Sequence, residues 1–496
     1  MSLRRIGIVL GLLFSLDSQA QNYHAIEGSP FAGSLGVANN PASILMTPYP
    51  WDVTIFSVQL KTSTNALTFH NLSLLSLAKG DTINYSFDGG NKKRYAAYNF
   101  NLHLLNVRIA LSKKAAIAFG ANIRSYAAIR TGVANYNDSL QNMNQFFDIN
   151  GNTTYNANGV SSSWLEAFLT YSRTLYDDET SRLNTGITLK AMRGISGAFA
   201  QLNDGSVKRT VSGAQTIYLL NAGNARYGYS SNYDWWKNGH ATIDNMKDFV
   251  SKTRNGAALD LGAEYLVKTQ QVTNYDDGDP YYDYEWKIGV SILDVGRNTY
   301  VLGSQSRTAS NPKSNTSDSA LDIKFGDPGS LAKFNDSLAT IVKNISVPRG
   351  TFNIWNPTRV VINVDRPLPN HFAINANLSL NLTGSNSGKG KSFFVKEMNL
   401  LNLTPRWETR RLGIYLPVQV TTDGKFWIGG AAKAGPVLFG VHNWTNVFLK
   451  NKIQNGGFYL ALILRPGQGF RSKQDKRYDC PVDGQVIQTK QKVRLY

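Results

Sequence analysis

The residues of this sequence best placed to do chemistry are acids. Asp260 and Glu264 stand four apart in the stretch ALDLGAEYLVK, residues 258–268. There Leu259, Leu261, Ala263, Tyr265 and Val267 alternate with Ala258, Asp260, Gly262 and Glu264. A period of two puts the apolar residues on one face of a strand and both carboxylates on the other. Carboxylates beside a glycine on a wet face suit a hydrated lumen. Lys190, within 183–191, and Arg124 with Asn122, within 117–124, hold the same polar position in two further alternating runs. A second acidic cluster, Asp276, Asp277, Asp279, Asp283 and Glu285, crowds the tyrosine-rich NYDDGDPYYDYE. Several carboxylates with a central glycine are ligands of the kind Ca²⁺ takes, but the spacing departs from an EF-hand loop and a solvated turn is expected.

Catalytic patterns are missing from the sequence. The six histidines (24, 70, 103, 240, 371 and 442) show no metal-ligand spacing, and no G-x-S-x-G elbow occurs. His103 and Ser112 lie on neighbouring stretches, as a barrel phospholipase would need. His103, however, shares its face with Asn99 and Asn101, which predicts a lumen-lining or satisfied side chain. No enzyme activity, metal or cofactor is expected.

A sheet must position these groups. Fourteen stretches read as strands: 66–77, 96–111, 115–126, 164–175, 183–193, 256–268, 286–295, 358–366, 371–382, 398–408, 411–420, 424–433, 437–444 and 456–465. Most have the length a tilted strand needs to cross a bilayer. Short gaps, as at 112–114, 177–181 and 367–370, alternate with long ones near 127–163, 194–255, 296–357 and 383–397. Short turns on one side and long loops on the other is the layout of an outer-membrane barrel. The expected fold is therefore all-β, a transmembrane antiparallel β-barrel of about 14 strands over 51–465. A soluble multi-domain β protein is the alternative. Trp164, Trp286, Trp407, Trp427 and Trp444 fall near strand ends, as an interfacial girdle would place them.

Both ends of the chain carry their own signals. Arg4 and Arg5, the apolar Ile6–Leu16 and the small residues before Gln21 read as a signal peptide over 1–20, cleaved after Ala20. The chain is then exported, with the outer membrane of a Gram-negative bacterium as its expected location. Its single cysteine, Cys480, excludes an internal disulfide framework. The net charge of +18 is spread along the chain, which favours outer-membrane lipid and lipopolysaccharide over nucleic acid as partners. Residues 466–496 form a basic tail, placed by strand parity in the periplasm.

Residues 21–50 are rich in glycine and proline, yet Phe31, Leu35, Val37, Ile44, Leu45 and Met46 need cover. A plug inside the barrel meets both demands, and a disordered arm is the alternative. Two more segments, IDNMKDFVSK (243–252) and 328–343, carry helical spacing and are expected to cap or constrict the mouth. The aromatic run Tyr233-Asp234-Trp235-Trp236 could stack on sugar, anchor in the outer interface or pack within its loop.

Two stretches carry a family likeness. EGSPFAGSLGVANNPASILMTPYPWDVTI contains Asn40-Pro41-Ala42, and ALDLGAEYLVK is followed by WKIGVSILDVG, residues 286–296. Together they resemble the FadL-type long-chain fatty-acid transporter barrels and their PorV-like relatives. The resemblance implies an N-terminal hatch with Asn40, Pro41 and Ala42 as its gating element. It further implies a channel for a small hydrophobic substrate, and the alternation places Asp260, Glu264, Lys190, Arg124 and Asn122 on the lumen face that such a substrate would pass. PorV-like relatives imply the alternative, a scaffold or shuttle barrel with a protein partner in a secretion or surface-attachment complex. A fatty-acid transporter would have apolar long loops, whereas 135–163 and 303–345 are polar here.

The run HFAINANLSLNL, residues 371–382, states the membrane expectation most sharply. Phe372, Ile374, Leu378, Leu380 and Leu382 are expected to face lipid, and Asn375, Asn377 and Asn381 the lumen. On that reading Leu378→Arg costs about 2–4 kcal/mol and Asn377→Arg is tolerated.

Overall fold

The computed structural model describes residues 24–73, 84–151, 153–236, 242–268, 283–382, 392–421, 424–448 and 451–466. The signal peptide, all but the first residue of the basic tail, and Asp276, Asp277 and Asp279 lie outside them.

Fourteen antiparallel strands close into a barrel. They are β1 Trp51–Thr64, β2 Gly90–Ser112, β3 Ala115–Tyr136, β4 Tyr155–Asp177, β5 Ser181–Ser212, β6 Asn255–Lys268 and β7 Tyr284–Val301. β8 Arg359–Pro367, β9 Phe372–Asn381 and β10 Leu400–Glu408 follow. β11 runs as Leu412–Tyr415 and Val418–Thr421, split at Pro417, which has no N–H to give the ladder. β12 runs as Phe426–Ile428 and Gly430–Ala434, and β13 Val437–Val441 and β14 Phe458–Leu464 complete the set. The wall closes where β14 pairs with β1, with Ser57 opposite Ala461.

The polarity is that of a membrane barrel. On β4, Leu169 (54%) and Leu175 (60%) are exposed on the outside while Thr170 and Ser172 are fully buried on the inside. A protein with a water-facing exterior would not leave so continuous an apolar belt uncovered, whereas acyl chains cover it. The stretch 371–382 follows the rule: Phe372, Ile374, Leu380 and Leu382 are exposed, and Asn375, Asn377 and Ser379 are buried.

Several strand assignments change. Trp51–Thr64 is a wall strand, whereas Leu67–Leu72 pairs with Asn84–Phe87 and Asn451–Ile453 in a separate three-stranded sheet. The tally of fourteen survives because one missed strand replaces one misplaced strand. Much of the "loop" at 127–163 and 194–255 is strand as well. β2, β3, β4 and β5 have 23, 22, 23 and 32 residues, against roughly 9–11 needed to span a bilayer. Their outer ends, with Gln215–Tyr229, Arg307–Pro312 and Val342–Ser346, form a wall standing beyond the membrane. Helices α1 Met143–Asn150, α3 Asp318–Phe325 and α4 Leu331–Ile341 pack against it, while α2 Thr242–Ser251 sits elsewhere.

The girdle expectation fails for two tryptophans. Trp164 and Trp427 are buried inside the barrel, whereas Trp286 and Trp444 are exposed on it. The expectation for Asn377 also changes, because the interior holds protein rather than water. Asn377 lines a pocket with Ile26, Gly28 and Asn39 of the N-terminal segment. An arginine there would overfill packed space at a typical cost of about 1–3 kcal/mol. Leu378→Arg and Asn377→Arg are therefore both expected to destabilise, the first by about 2–4 kcal/mol. Urea titration of refolding into lipid vesicles measures both, and a neutral Asn377→Arg would mean a wet interior.

Candidate functional site

Inside the barrel, residues 24–50 form three short 3-10 turns, His24–Ile26, Gly33–Ala38 and Pro41–Met46. Their apolar side chains find cover on the inner wall. Ala25, Ile26, Ala32 and Leu35 pack on Tyr415, Leu438, Tyr459, Ala461 and Ile463, and Val37 and Ile44 pack on Ala116, Ala118 and Phe168. Asn40 caps the third turn, its side chain accepting from Ala42 N at 2.9 Å, and Pro41 follows at the first helical position. The Asn40 amide also donates to Ala263 O (3.0 Å) on β6.

Three glycines make this seat. A Cβ on Gly186 of β5 would lie 2.6 Å from Ala42 N and from the carbonyl carbon of Pro41. A Cβ on Gly262 of β6 would collide with Asn40 Oδ1, and one on Gly289 of β7 would approach Asn40 Nδ2 at 3.1 Å. The hatch element and the mid-chain DLG and IGVS stretches are thus one contact in space.

Side chains from around the wall hold the hatch backbone. Asp52 accepts from Ser34 N (2.7 Å) and Arg108 donates to Ile44 O (2.8 Å). Ser172 donates to Pro41 O (2.7 Å), Lys287 to Gly28 O (2.6 Å), Ser291 to Asn39 O (2.6 Å) and Arg359 to Ala38 O (3.1 Å). Ser29 Oγ donates to Glu408 (2.7 Å), which also pairs with Arg406, and Arg406 in turn holds Asp365.

Outward of the hatch lies a layer of paired charge. Asp294 binds Arg124 Nη2 (2.8 Å), Lys190 Nζ (2.7 Å) and Arg359 Nη1 (3.0 Å). Lys190 also reaches Asp260 (2.7 Å), and Asp260 accepts from Asp294 N (2.6 Å). Glu166 takes Arg124 (3.3 Å), Asn122 (3.0 Å) and Trp164 Nε1 (2.9 Å). Three cations face three carboxylates, and all six are buried. The space left among them is about 20 Å³, the volume of a water or so. Asp294 reaches this layer through a bulge. It has φ +61° where β7 slips register against β6, so Leu293 and Asp294 both point inward.

Farther out, on β3, β4, β5 and β7 and on the short strands Thr351–Trp355 and Ser392–Phe394, comes an aromatic layer. Tyr126 stacks on Trp164 (5.4 Å), Tyr300 on Phe352 (5.4 Å) and Phe199 on Phe393 (4.0 Å). Beyond it, between the projecting wall and the helices, opens a cavity of about 460 Å³. Val133, Phe147, Leu202, Val207, Leu220, Leu321, Leu338 and Ile341 are among its lining residues. The polar segments 135–163 and 303–345 thus contribute a concentrated apolar lining, because their few large apolar residues converge on one side.

Residues 41–443 match a family described as "Family of unknown function (DUF5723)". The chain belongs to the DUF5723 family. No curated protein matches it. Among solved structures, the DUF5723 chain is similar to the Ralstonia pickettii toluene transporter TbuX, with TM-score 0.36 and 10% identity over 87% of this chain and 94% of that one. It is similar to a deletion mutant of the TodX monoaromatic hydrocarbon channel, with TM-score 0.39 and 9% identity over 90% and 94%. A Pseudomonas aeruginosa FadL homologue gives 0.26 and 8% over 90% and 98%. FadL-type outer-membrane barrels are thus among the structures this chain is similar to.

In this DUF5723 barrel, Asn122, Arg124, Lys190 and Asp260 meet in the charged layer. Glu264 does not join them. It lies two inward positions farther along β6, past Gly262, lining the small pocket with Gly28 and Asn40. Instead of lining open water, all five are buried, and Asn122, Arg124, Lys190 and Asp260 are bonded within the charged layer. Glu166, Asp294 and Arg359 were missed by sequence reasoning. Glu166 shares inward parity with Trp164 and was findable, and Asp294 stands within the WKIGVSILDVG stretch. His103 is buried beside Asn106, and Ser112 is exposed at the turn. Asp283 pairs with Arg182 (2.7 Å) and Glu285 with Arg366 (3.5 Å), which accounts for the two described acids of the second cluster.

Proposed function

We propose that this chain is an outer-membrane channel that receives a small apolar molecule in its outer cavity and releases it inward past the hatch. The observation that carries the reading is the 460 Å³ cavity with its apolar lining at the outer end of a plugged barrel. Ligand sites are typically concave, largely apolar and of roughly 300–1,000 Å³. The aromatic layer, the charged layer and the hatch then stand in series between cavity and periplasm, so passage requires the hatch to leave its glycine seat and Arg359 to release Ala38. In this reading Asn40, Pro41 and Ala42 are the gating element, and Asn122, Arg124, Lys190, Asp260 and Glu264 line the route opened. No bond-making step is involved.

A purified sample in detergent, titrated with an environment-sensitive apolar dye, tests the cavity. Leu220→Trp and Val207→Trp fill it and should each weaken dye binding by roughly tenfold, the loss of about 1.4 kcal/mol. Undiminished binding in both would remove the cavity from the reading.

A second reading has its own support. Hydrogen bonds from around the wall fix the hatch backbone, as suits a static plug in a scaffold or shuttle barrel that serves a secretion or surface-attachment complex. Proteoliposome uptake with and without residues 22–48 separates the two. Flux that rises on deletion supports the gated channel. No flux in either form, with a stably copurifying protein, supports the scaffold.

A further inference from the structure

One helix of the outer region has no place in the cavity or the mouth. The sequence-based expectation put 243–252 at the mouth, but α2 is fastened to the outside of the wall. Arg193 follows Leu189 and Ala191 on the lipid-facing side of β5. Its guanidinium donates to Val250 O and Ser251 O (3.0 Å each) and to Thr253 Oγ1 (2.7 Å), closing the C-terminal end of α2. The turn Ser231–Trp235 is fixed beside it, with Asn232 donating to Ile195 O (2.7 Å) and Tyr233 OH within 2.8 Å of Ser196 Oγ. Phe249 packs edge-on against Tyr233 (4.9 Å) and Trp236 (6.1 Å).

What α2 leaves uncovered is apolar. Ile243 is 80% exposed, Met246 57% and Val250 40%, with Trp235 and Trp236 nearly half exposed beside them. At 3.6 residues per turn these three α2 side chains share one face about 60° wide. Lys247 flanks that face at about 40° from Ile243, and Asp244 and Asp248 lie beyond it, at about 100° and 140°. Lys252 and Arg254 are exposed at the C-terminal end, Lys252 over the Trp235 ring (4.8 Å).

Height in the membrane identifies the occupant. From Ser181 at the periplasmic turn to Arg193, β5 rises about 40 Å along its axis at about 3.3 Å per residue. Tilted like other barrel strands it crosses about 30 Å of bilayer, the thickness of the hydrocarbon. The uncovered face of α2 therefore continues the apolar belt of Ile187, Leu189 and Leu261 at the level where acyl chains meet headgroups.

We propose that α2, with Tyr233, Trp235 and Trp236, is an in-plane anchor seated in the outer leaflet. Ile243, Met246 and Val250 insert among acyl chains, the two indoles lie at the interface, and Lys247, Lys252 and Arg254 meet lipid phosphates.

Nitroxide labels on single cysteines in a Cys480→Ser background test this in bilayers of phosphatidylethanolamine and phosphatidylglycerol. Ile243→Cys, Met246→Cys and Val250→Cys should collide severalfold more with oxygen than with a water-soluble nickel chelate. Asp244→Cys and Asp248→Cys should show the reverse. All five positions are exposed, so folding should be unaffected, and the heat-dependent gel shift checks it. Higher nickel collision at all five would leave the helix in water, and exclusion of both quenchers at 243, 246 and 250 would mean a protein partner or a second copy covers it. Either result overturns the proposal.

Discussion

Asp294→Ala is expected to lower the unfolding free energy of the barrel by about 3–5 kcal/mol, the usual cost of removing one partner from a buried ion pair. Asp294 is the acceptor on which Arg124, Lys190 and Arg359 converge. Without it, Asp260 and Glu166 face three buried cations, and the excess positive charge has no water to retreat to. Arg359 also holds Ala38 of the hatch, so the damage should spread to the plug. Urea unfolding in lipid vesicles, followed by tryptophan fluorescence, measures the loss. Arg124→Met added to Asp294→Ala should restore part of it by removing one stranded charge. A loss under about 1 kcal/mol, the range of exposed pairs, would mean that water reaches the layer and the interior is open.

The second large effect belongs to Gly186→Val. The new Cβ would press on backbone atoms of Pro41 and Ala42 at 2.6 Å, where no side-chain rotation relieves it. Overpacking of this kind costs about 1–3 kcal/mol, enough to shift the ratio of seated to unseated hatch by roughly fivefold to a hundredfold. The expected outcome is faster protease cleavage within 24–50 and higher conductance across planar bilayers, with the wall strands intact. Asn40→Ala should act in the same direction more weakly, by about 1 kcal/mol, through loss of the cap. If Gly186→Val leaves both cleavage and conductance unchanged, the hatch does not depend on this seat.

The sequence was readable where one local rule decided the outcome. Period-two alternation in 371–382 and 258–268 assigned faces that the wall keeps, because a pleated strand with lipid on one side leaves no other arrangement. The rule failed wherever a residue was inserted into the ladder. Strict alternation from Ser291 and Leu293 sends Asp294 outward into lipid, and only the bulge, visible in the pairing with β6, turns it to the centre of the charged layer. Trp164 and Trp427 failed differently. A tryptophan near a strand end looks the same whether it faces headgroups or a packed interior, and the inward neighbours Glu166 and Lys61 are what hold these two inside.

The outer region was the least legible part. Segments 135–163 and 303–345 are polar on average, and an average hides Phe146, Phe147, Leu321, Leu338 and Ile341 converging on one cavity. The same limit applies to α2, whose helical spacing is plain in the sequence but whose side of the wall is not.

By itself, then, the sequence determined the barrel, its inside-out polarity and the N-terminal segment that needs cover, since these follow from residue periodicity and from unsatisfied apolar side chains. Tertiary structure alone decided that the interior is filled rather than wet. Asn40-Pro41-Ala42 fits the wall only where strands β5, β6 and β7 bring Gly186, Gly262 and Gly289 together, and six charges balance one another only when six strands, β3 to β8, bring them together around Asp294. Both depend on distances between residues far apart in the chain, which no local pattern encodes.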